Sequence, residues 1–130
     1  PSKVKRLHDI EGQLQLLHTE HGGKQTAALS GYRPTHRLYD NYYTTGFHEY
    51  PDTGQISPGE TTRALVWLVT PEVYPSSVWV GRVLPVCEGT RPVGKLTITR
   101  VLNPTLVGNP ETYSPVWVEP PGFLNSGGEE

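Results

Sequence analysis

Hydrophobic and polar residues alternate along residues 8–19. A period of two predicts a strand with one buried face, and a helix is the alternative because Leu, Gln and Glu also favour helices. Residues 20–23 then predict a hairpin loop, with residues 24–29 as the return strand. The positions that we expect on the buried face of the first strand are Ile10, Gly12, Leu14, Leu16 and His18.

Four later stretches also predict strands. Residues 35–50 are rich in Tyr, Phe and Thr, and Gly46 among them indicates a bulge or a sharp bend. Residues 62–70 are almost continuously apolar, so we expect that strand to be covered on both faces. Residues 78–86 and 93–102 complete the set, with turns at 51–54, 57–60 and 88–91. About six short strands at this spacing predict an all-β fold, a small closed antiparallel barrel or a sandwich.

Composition indicates one turn-rich domain. The chain has 130 residues with 35% hydrophobic residues, 14 Gly and 13 Pro, and it does not begin with Met. From Asn103 onward there are 5 Pro, 4 Gly and no Lys or Arg. We therefore expect a lead-in at 1–6, a barrel domain at 7–102, and a Pro-rich acidic tail at 103–130. That tail is expected to be extended, and either largely disordered or wrapped over the surface.

Charge and hydropathy narrow the class of protein. Residues 1–102 carry a net charge of +2 and residues 103–130 carry −4, and neither value alone indicates nucleic-acid binding. The sequence contains no run of 18 apolar residues and no apolar core behind its basic start, so we expect neither a membrane span nor a secretory signal. The single cysteine, Cys87, excludes an internal disulfide and fits a reducing compartment. We expect a cytoplasmic protein.

Catalytic and metal-binding patterns are sparse. A metal site needs three or four converging ligands, and His18 and His21 form the only tight pair of histidines, so we interpret the five histidines as surface residues. Cys87 is expected to pack rather than to act as a nucleophile. No carboxylate pair lies on a defined rigid element. The sequence thus predicts no catalytic residue, no metal and no cofactor.

Two sets of aromatic residues can each be interpreted in two ways. The aromatic residues between Tyr39 and Tyr50, with Arg33 and Arg37 nearby, are typical of a stacking platform for single-stranded nucleic acid, but some rings must instead fill the core. In the tail, Tyr113 and Trp117 predict a docking segment, either for this domain or for a partner.

Several short motifs occur in a fixed order from about residue 7 to residue 102. Together they resemble the C-terminal β-barrel, the third domain, of bacterial elongation factor Tu. Each motif is common alone, and the resemblance comes from finding them in register. The motifs are Gly22-Gly23-Lys24-Gln25-Thr26, Gly31-Tyr32-Arg33-Pro34, Thr45-Gly46, Pro58-Gly59-Glu60, Glu88-Gly89-Thr90-Arg91-Pro92-Val93-Gly94 and Arg100-Val101-Leu102.

The resemblance implies a barrel without catalysis of its own. In that family the barrel holds one side of the T-stem of aminoacyl-tRNA, contacts the nucleotide-exchange factor and packs against the GTPase domain. Relative to the family, a Lys replaces an Arg, a Gln replaces a His and a Thr replaces a Gln, and one residue is inserted between Tyr39 and Thr45. The positions that correspond to tRNA contacts are Lys24, Gln25, Thr26, Thr35, Thr45 and Gly89, and Arg33 is added as a phosphate contact.

The sequence lacks the Gly-x-x-x-x-Gly-Lys-Ser/Thr loop of a GTPase, so we expect no GTP hydrolysis. A free-standing relative of the barrel is favoured over one domain cut from a larger factor. Two functions remain. The first is an RNA-binding module whose inherited ligand is tRNA or another RNA stem. The second is a protein-interaction module that docks on a GTPase, an exchange factor or another protein.

Overall fold

The computed structural model describes residues 7–39 and 42–111, with Tyr39 described by its backbone only. Short strands dominate this part of the chain, and its only helical segments are three-residue 3₁₀ helices at Thr19–His21, Pro71–Val73 and Pro104–Leu106. The strands are β1 (Ile10–Leu16), β2 (Ala28–Leu29), β3 (Thr35–Tyr39), β4 (Tyr42–Glu49), β5 (Gln55–Ile56), β6 (Thr61–Leu68), β7 (Val83–Glu88) and β8 (Arg91–Val101).

Six strands close into an antiparallel barrel. They follow each other in the order β1, β6, β4, β3, β7 and β8, and β8 pairs with β1 to close the ring. Strands β2 and β5 form a separate two-stranded sheet. The predicted all-β, six-stranded antiparallel barrel is therefore confirmed, although the set of predicted strands differs in detail. Closure leaves the barrel without an open sheet edge.

Strand β1 confirms the alternating pattern from Gly12 to Leu16, but the prediction is wrong for Glu11, which is buried, and for His18, which lies beyond the strand and is exposed. Leu14 and Leu16 are buried inside the barrel, while Gln13 is exposed. At Gly12 a side chain is excluded, because a Cβ atom there would lie 2.9 Å from Leu96 Cδ1. The helical alternative is wrong because β1 pairs along one edge with β6 and along the other with β8.

The predicted hairpin over residues 8–29 is wrong. The loop contains a 3₁₀ helix, Thr19–His21, and only Ala28–Leu29 of the return segment forms a strand. That strand pairs with Gln55–Ile56 rather than with β1. Both edges of β1 are already occupied by β6 and β8, so no edge remains for a sequential return strand.

Residues 35–50 form two strands, and the bulge that was one of two structures predicted at Gly46 is not found there. Strands β3 and β4 pair as neighbours, with Thr35 opposite Thr45. The ladder between β4 and β6 starts at Gly46, opposite Leu68, and continues to Glu49 without a register shift. A Cβ atom at Gly46 would lie 2.6 Å from His36 Cε1, so the glycine makes room for a buried imidazole.

Strand β6 alternates, and the prediction that both its faces are covered is wrong. Ala64, Val66 and Leu68 are buried, whereas Trp67 is half-buried and Val69 is 53% exposed. The inner face of β6 fills the barrel and the outer face meets the surface. The period-two pattern of β6 cannot be seen in the sequence because several of its outward-facing residues are also hydrophobic.

The strand predicted over residues 78–86 begins later, at Val83. A turn interrupts it, in which the Arg82 amide donates to the Trp79 carbonyl oxygen at 3.1 Å and Gly81 has φ of +96°. The predicted turn at 88–91 is confirmed: Glu88 and Arg91 are paired, and Gly89 has φ of +65°.

The chain continues to pack after β8. Leu106 is fully buried, and the Asn103 side-chain amide donates to Asp9 Oδ1 at 2.8 Å. Val107 forms a parallel bridge with Val78. The lead-in at 1–6 and residues 112–130, with Tyr113 and Trp117, lie outside the described residues. Within the described ranges, no helix is long and apolar enough to cross a membrane.

Candidate functional site

Four residues that the resemblance selected gather at one end of the barrel, although 65 positions separate the first from the last. The Thr35 hydroxyl donates to the Gly89 carbonyl oxygen at 2.6 Å. Thr45 lies opposite Thr35 in the neighbouring strand. Lys24 Nζ reaches the carboxylate of Glu88, which directly precedes Gly89. The arrangement therefore joins the loop at 22–26, strands β3 and β4, and the β7–β8 turn. We call this surface the loop end.

The loop at 22–26 is held by contacts from both sides. The Gly22 amide donates to the Thr19 carbonyl oxygen at 3.1 Å, with Gly22 at φ of +94°. The Thr19 hydroxyl donates to the Lys24 carbonyl oxygen at 2.5 Å. From the β7–β8 turn, the Arg91 guanidinium donates to the Gly22 carbonyl oxygen at 2.6 Å. The glycine thus permits a left-handed turn that other residues then fix in place.

Glu88 is the centre of the polar contacts at the loop end. Its Oε2 accepts from the Tyr32 hydroxyl at 2.8 Å and lies 3.1 Å from Lys24 Nζ, while its Oε1 lies 3.2 Å from Arg91. The Tyr32 hydrogen bond, followed by the two cations, lowers the pKa of Glu88, although partial burial acts in the opposite direction. Burial, and then the bond to Glu88, raise the pKa of Tyr32.

The polar residues of the loop end differ in how accessible their side chains are to a ligand. The Lys24 side chain is only 13% exposed, because it lies between Glu88 and the ring of Tyr32. Gln25 and Thr26 are exposed in the adjoining loop. Arg33 is exposed as well, with its guanidinium 4.7 Å from the centre of the Phe47 ring. Among the selected residues, Arg33 therefore offers the most accessible positive charge.

Three residues of this cluster belong to the sequence motifs but not to the predicted RNA contacts: Tyr32, Glu88 and Arg91. The signal was present, because each lies within one of the motifs that carried the resemblance. Their convergence on one carboxylate depends on a contact between residues 56 positions apart, which no local pattern contains.

The expectation that all histidines lie at the surface is wrong for His36 and His48. Both are buried, and their Nε2 atoms lie 2.8 Å apart. Burial lowers the pKa of His36 to about 4, and burial together with His36 lowers that of His48. Within β4, His48 shares the parity of Gly46 and Tyr50, but its contact with His36 depends on the pairing of β3 with β4. Among the residues with assigned positions, no three His, Cys, Asp or Glu side chains could hold a metal ion.

The remaining candidates divide between core and surface. Tyr50 is buried, which confirms that some rings of the aromatic series fill the core, whereas Tyr42 is exposed. Cys87 is buried too, as predicted for a packing residue, and burial raises the pKa of its thiol to about 11. On the outer face of the barrel, Phe47 lies opposite Trp67.

The fold and the loop end define a small closed antiparallel β-barrel domain. A comparison with protein-family models found no match to this sequence.

Proposed function

We propose that this chain is a non-catalytic binding module that holds an RNA stem at the loop end. The observation that supports the proposal is the convergence of Lys24, Thr35, Thr45 and Gly89, which the resemblance to the elongation factor Tu barrel selected from four separate segments. Sequence-independent RNA binding needs cations and hydrogen-bonding groups set against the sugar–phosphate backbone rather than a catalytic constellation.

The charges at the loop end fit such a ligand. Lys24, Arg33 and Arg91 contribute three positive charges, against one negative charge from Glu88. Arg33 is exposed beside the β3–β4 hairpin, and its stacking on Phe47 limits the freedom of the guanidinium. Because Lys24 is occupied by Glu88, we assign the principal phosphate contact to Arg33. Gln25 and Thr26 supply exposed hydrogen-bonding groups beside it.

A salt series with RNA tests this proposal. The fluorescence anisotropy of a labelled RNA hairpin, with a DNA hairpin of the same sequence for comparison, is followed between about 50 and 200 mM salt. We expect RNA affinity to fall with salt and Arg33→Ala to reduce the log–log slope by about 1. The matched control is Arg100→Ala, because Arg100 lies near the opposite end of β8 and binds Glu11. Affinity that is independent of salt, or equal losses in the two variants, would contradict the proposal.

A protein-binding module is the second proposal, and an outer strip of apolar residues supports it. Phe47 lies opposite Trp67 on neighbouring strands, and Val69, two positions after Trp67 and just beyond the end of β6, is exposed. The Val69 amide donates to the Thr45 carbonyl oxygen at 3.0 Å, so the strip reaches the loop end. Exposed apolar residues beside polar ones are typical of docking surfaces for proteins, here a GTPase or an exchange factor.

Affinity capture with two charge-insertion variants tests the second proposal. A protein that the wild type retains should be lost with Val69→Asp and kept with Val107→Asp, since Val107 is equally exposed but lies beside Val78. Equal retention by the two variants would contradict a role for the strip.

A further inference from the structure

The interior of the barrel contains a chain of polar side chains that neither proposed function uses. Its members are His36 on β3, His48 on β4, and Tyr50 immediately after β4, and all three side chains are buried. His36 Nδ1 lies 3.2 Å from the Thr44 carbonyl oxygen, the two Nε2 atoms lie 2.8 Å apart, and His48 Nδ1 lies 2.8 Å from the Tyr50 hydroxyl oxygen.

The first contact determines the direction of every hydrogen bond in the chain. A carbonyl oxygen can only accept, so His36 carries its proton on Nδ1 and donates it to Thr44. His36 Nε2 is then an acceptor, so it must accept a hydrogen bond that His48 Nε2–H donates. His48 Nδ1 in turn accepts from the Tyr50 hydroxyl. Two neutral histidines in opposite tautomers satisfy each ring nitrogen once.

A third imidazole proton would either set two donors against each other or leave a buried positive charge. If either imidazole gained a proton, the two Nε2 atoms would both be donors 2.8 Å apart, or His48 Nδ1 would oppose the Tyr50 hydroxyl. The Tyr50 hydroxyl could rotate to relieve the second conflict, but not the first. Both rings are also buried, so the charge would be shielded from water.

Among residues 7–39 and 42–111, the groups that contact the pair offer no compensating negative charge. Tyr32 meets His48 edge to face with ring centres 5.9 Å apart, and its hydroxyl is already bonded to Glu88. From β6 the residue paired with His48 is Val66, and from β7 the residue paired with His36 is Val86. The titratable groups that face the pair are therefore the two tyrosines, Tyr32 and Tyr50, while Glu88 lies beyond Tyr32.

We propose that the His36–His48 pair is an acid-sensitive lock, which holds β3 to β4 when both rings are neutral and releases the barrel when either is protonated. Release here means unfolding of the barrel. In the unfolded chain both imidazoles are exposed to water and can be protonated without burying a charge. The hairpin that the pair locks also carries Thr35 and Thr45, so acid would dismantle the loop end as well.

The direction and size of the effect follow from proton linkage. Burial lowers the pKa of His36 to about 4, against about 6.5 in an unfolded chain, so unfolding takes up protons below pH 6.5. The contribution of His36 to stability is complete above pH 6.5 and decreases as the pH falls below that value. For His36 alone, the unfolding constant should rise roughly 30-fold between pH 7.5 and pH 5. His48 adds a loss in the same direction.

Denaturant unfolding over pH 5 to 7.5 tests the lock with two variants. His48→Gln keeps one donor and one acceptor but cannot titrate, so we expect a shallower pH dependence. His21→Asn is the matched control, because His21 is exposed, and it should keep the dependence of the wild type. Equal pH dependence in His48→Gln and the wild type would overturn the proposal.

Imidazole ¹⁵N NMR of the wild type tests the same proposal without any substitution. At pH 5.5 we expect two neutral rings in opposite tautomers, His36 protonated on Nδ1 and His48 on Nε2. An imidazolium signal from either residue in the folded protein at this pH would overturn the proposal, as would two rings in the same tautomer. Both tests omit RNA, so their outcome is independent of the RNA-binding proposal.

Discussion

Lys24 Nζ lies 3.1 Å from Glu88 Oε2, although 64 positions separate the two residues in the chain. The contact joins the loop that follows β1 to the turn between β7 and β8. Tyr32 and Arg91 bind the same carboxylate. One acidic residue therefore organises the surface where the residues selected by the resemblance meet.

Replacement of Glu88 tests how much its carboxylate contributes to the stability of the fold. Glu88→Gln keeps an acceptor for Tyr32 but removes the charge that faces Lys24 and Arg91, and we expect a loss of about 0.5–1 kcal/mol in unfolding free energy at pH 7 because the site is partly exposed. The pKa of Glu88 is lowered in the fold, so this contribution is present above the unfolded pKa of about 4.3 and falls as pH drops through that range. Urea unfolding at pH 7 and pH 4 measures it.

Glu72→Gln is the control for that experiment, because Glu72 is an exposed acid in the 3₁₀ helix Pro71–Val73. Its unfolding free energy should match that of the wild type. A Glu88→Gln deficit that does not shrink at pH 4 would contradict the assigned role of the charge.

Gly46→Ala should destabilise the barrel by about 1–3 kcal/mol. The added methyl group would lie 2.6 Å from His36 Cε1 and 2.8 Å from Val66 Cγ1, and neither neighbour can move freely inside the barrel. Gly54→Ala is a useful comparison, because it adds a methyl group in open space and costs only about 1 kcal/mol for the left-handed backbone at φ of +75°. Thermal and urea unfolding of both variants would measure the difference. A smaller loss at Gly46 than at Gly54 would count against close packing of the His36 ring.

Leu14→Ala should cost about 3 kcal/mol, because the side chain is fully buried between β6 and β8 and its removal leaves a cavity. The adjacent Gln13 points outward, and Gln13→Ala should change the unfolding free energy by less than about 0.5 kcal/mol. Chemical denaturation of the pair checks the predicted parity of β1. Similar losses in the two variants would be inconsistent with one buried face.

Leu106→Ala should also destabilise the protein, by about 2–4 kcal/mol, although Leu106 follows the last strand. The reason is that the segment after β8 packs against the core. The Val78 amide donates to the Leu106 carbonyl oxygen at 2.8 Å. Val107→Ala provides the comparison, because that side chain is exposed and its loss should be below about 1 kcal/mol. If both variants unfold like the wild type, Leu106 does not belong to the core.

The thiol of Cys87 should react slowly in the folded protein. It is buried, and burial raises its pKa to about 11, so roughly one thiol in a thousand is ionised at pH 8. Because the chain has a single cysteine, alkylation by iodoacetamide reports on this residue alone. We expect a large rate increase in guanidinium chloride, and equal rates in the two conditions would show that the thiol is accessible in the fold.

Much of the candidate site could be proposed from the sequence because it lies in short motifs. Gly22, Gly89 and the turn at 88–91 follow from backbone requirements that local residue types reveal. Tyr32 and Arg91 were visible as motif members only. Their role depends on Glu88: Arg91 meets it within the same turn, whereas Tyr32 becomes its neighbour only when β7 packs beside β3.

The sequence by itself determined the period-two pattern of β1, the tight turn at 88–91 and the all-β class, because these depend on neighbours within a few residues. The tertiary structure decided which strands pair, since β1 could have joined residues 24–29 until β6 and β8 occupied both its edges. It also decided that Gly46 accommodates a ring rather than a bulge and that His36 and His48 are buried together. Barrel closure brings distant segments into contact, and the free energy of those contacts depends on both partners, which no local pattern can specify.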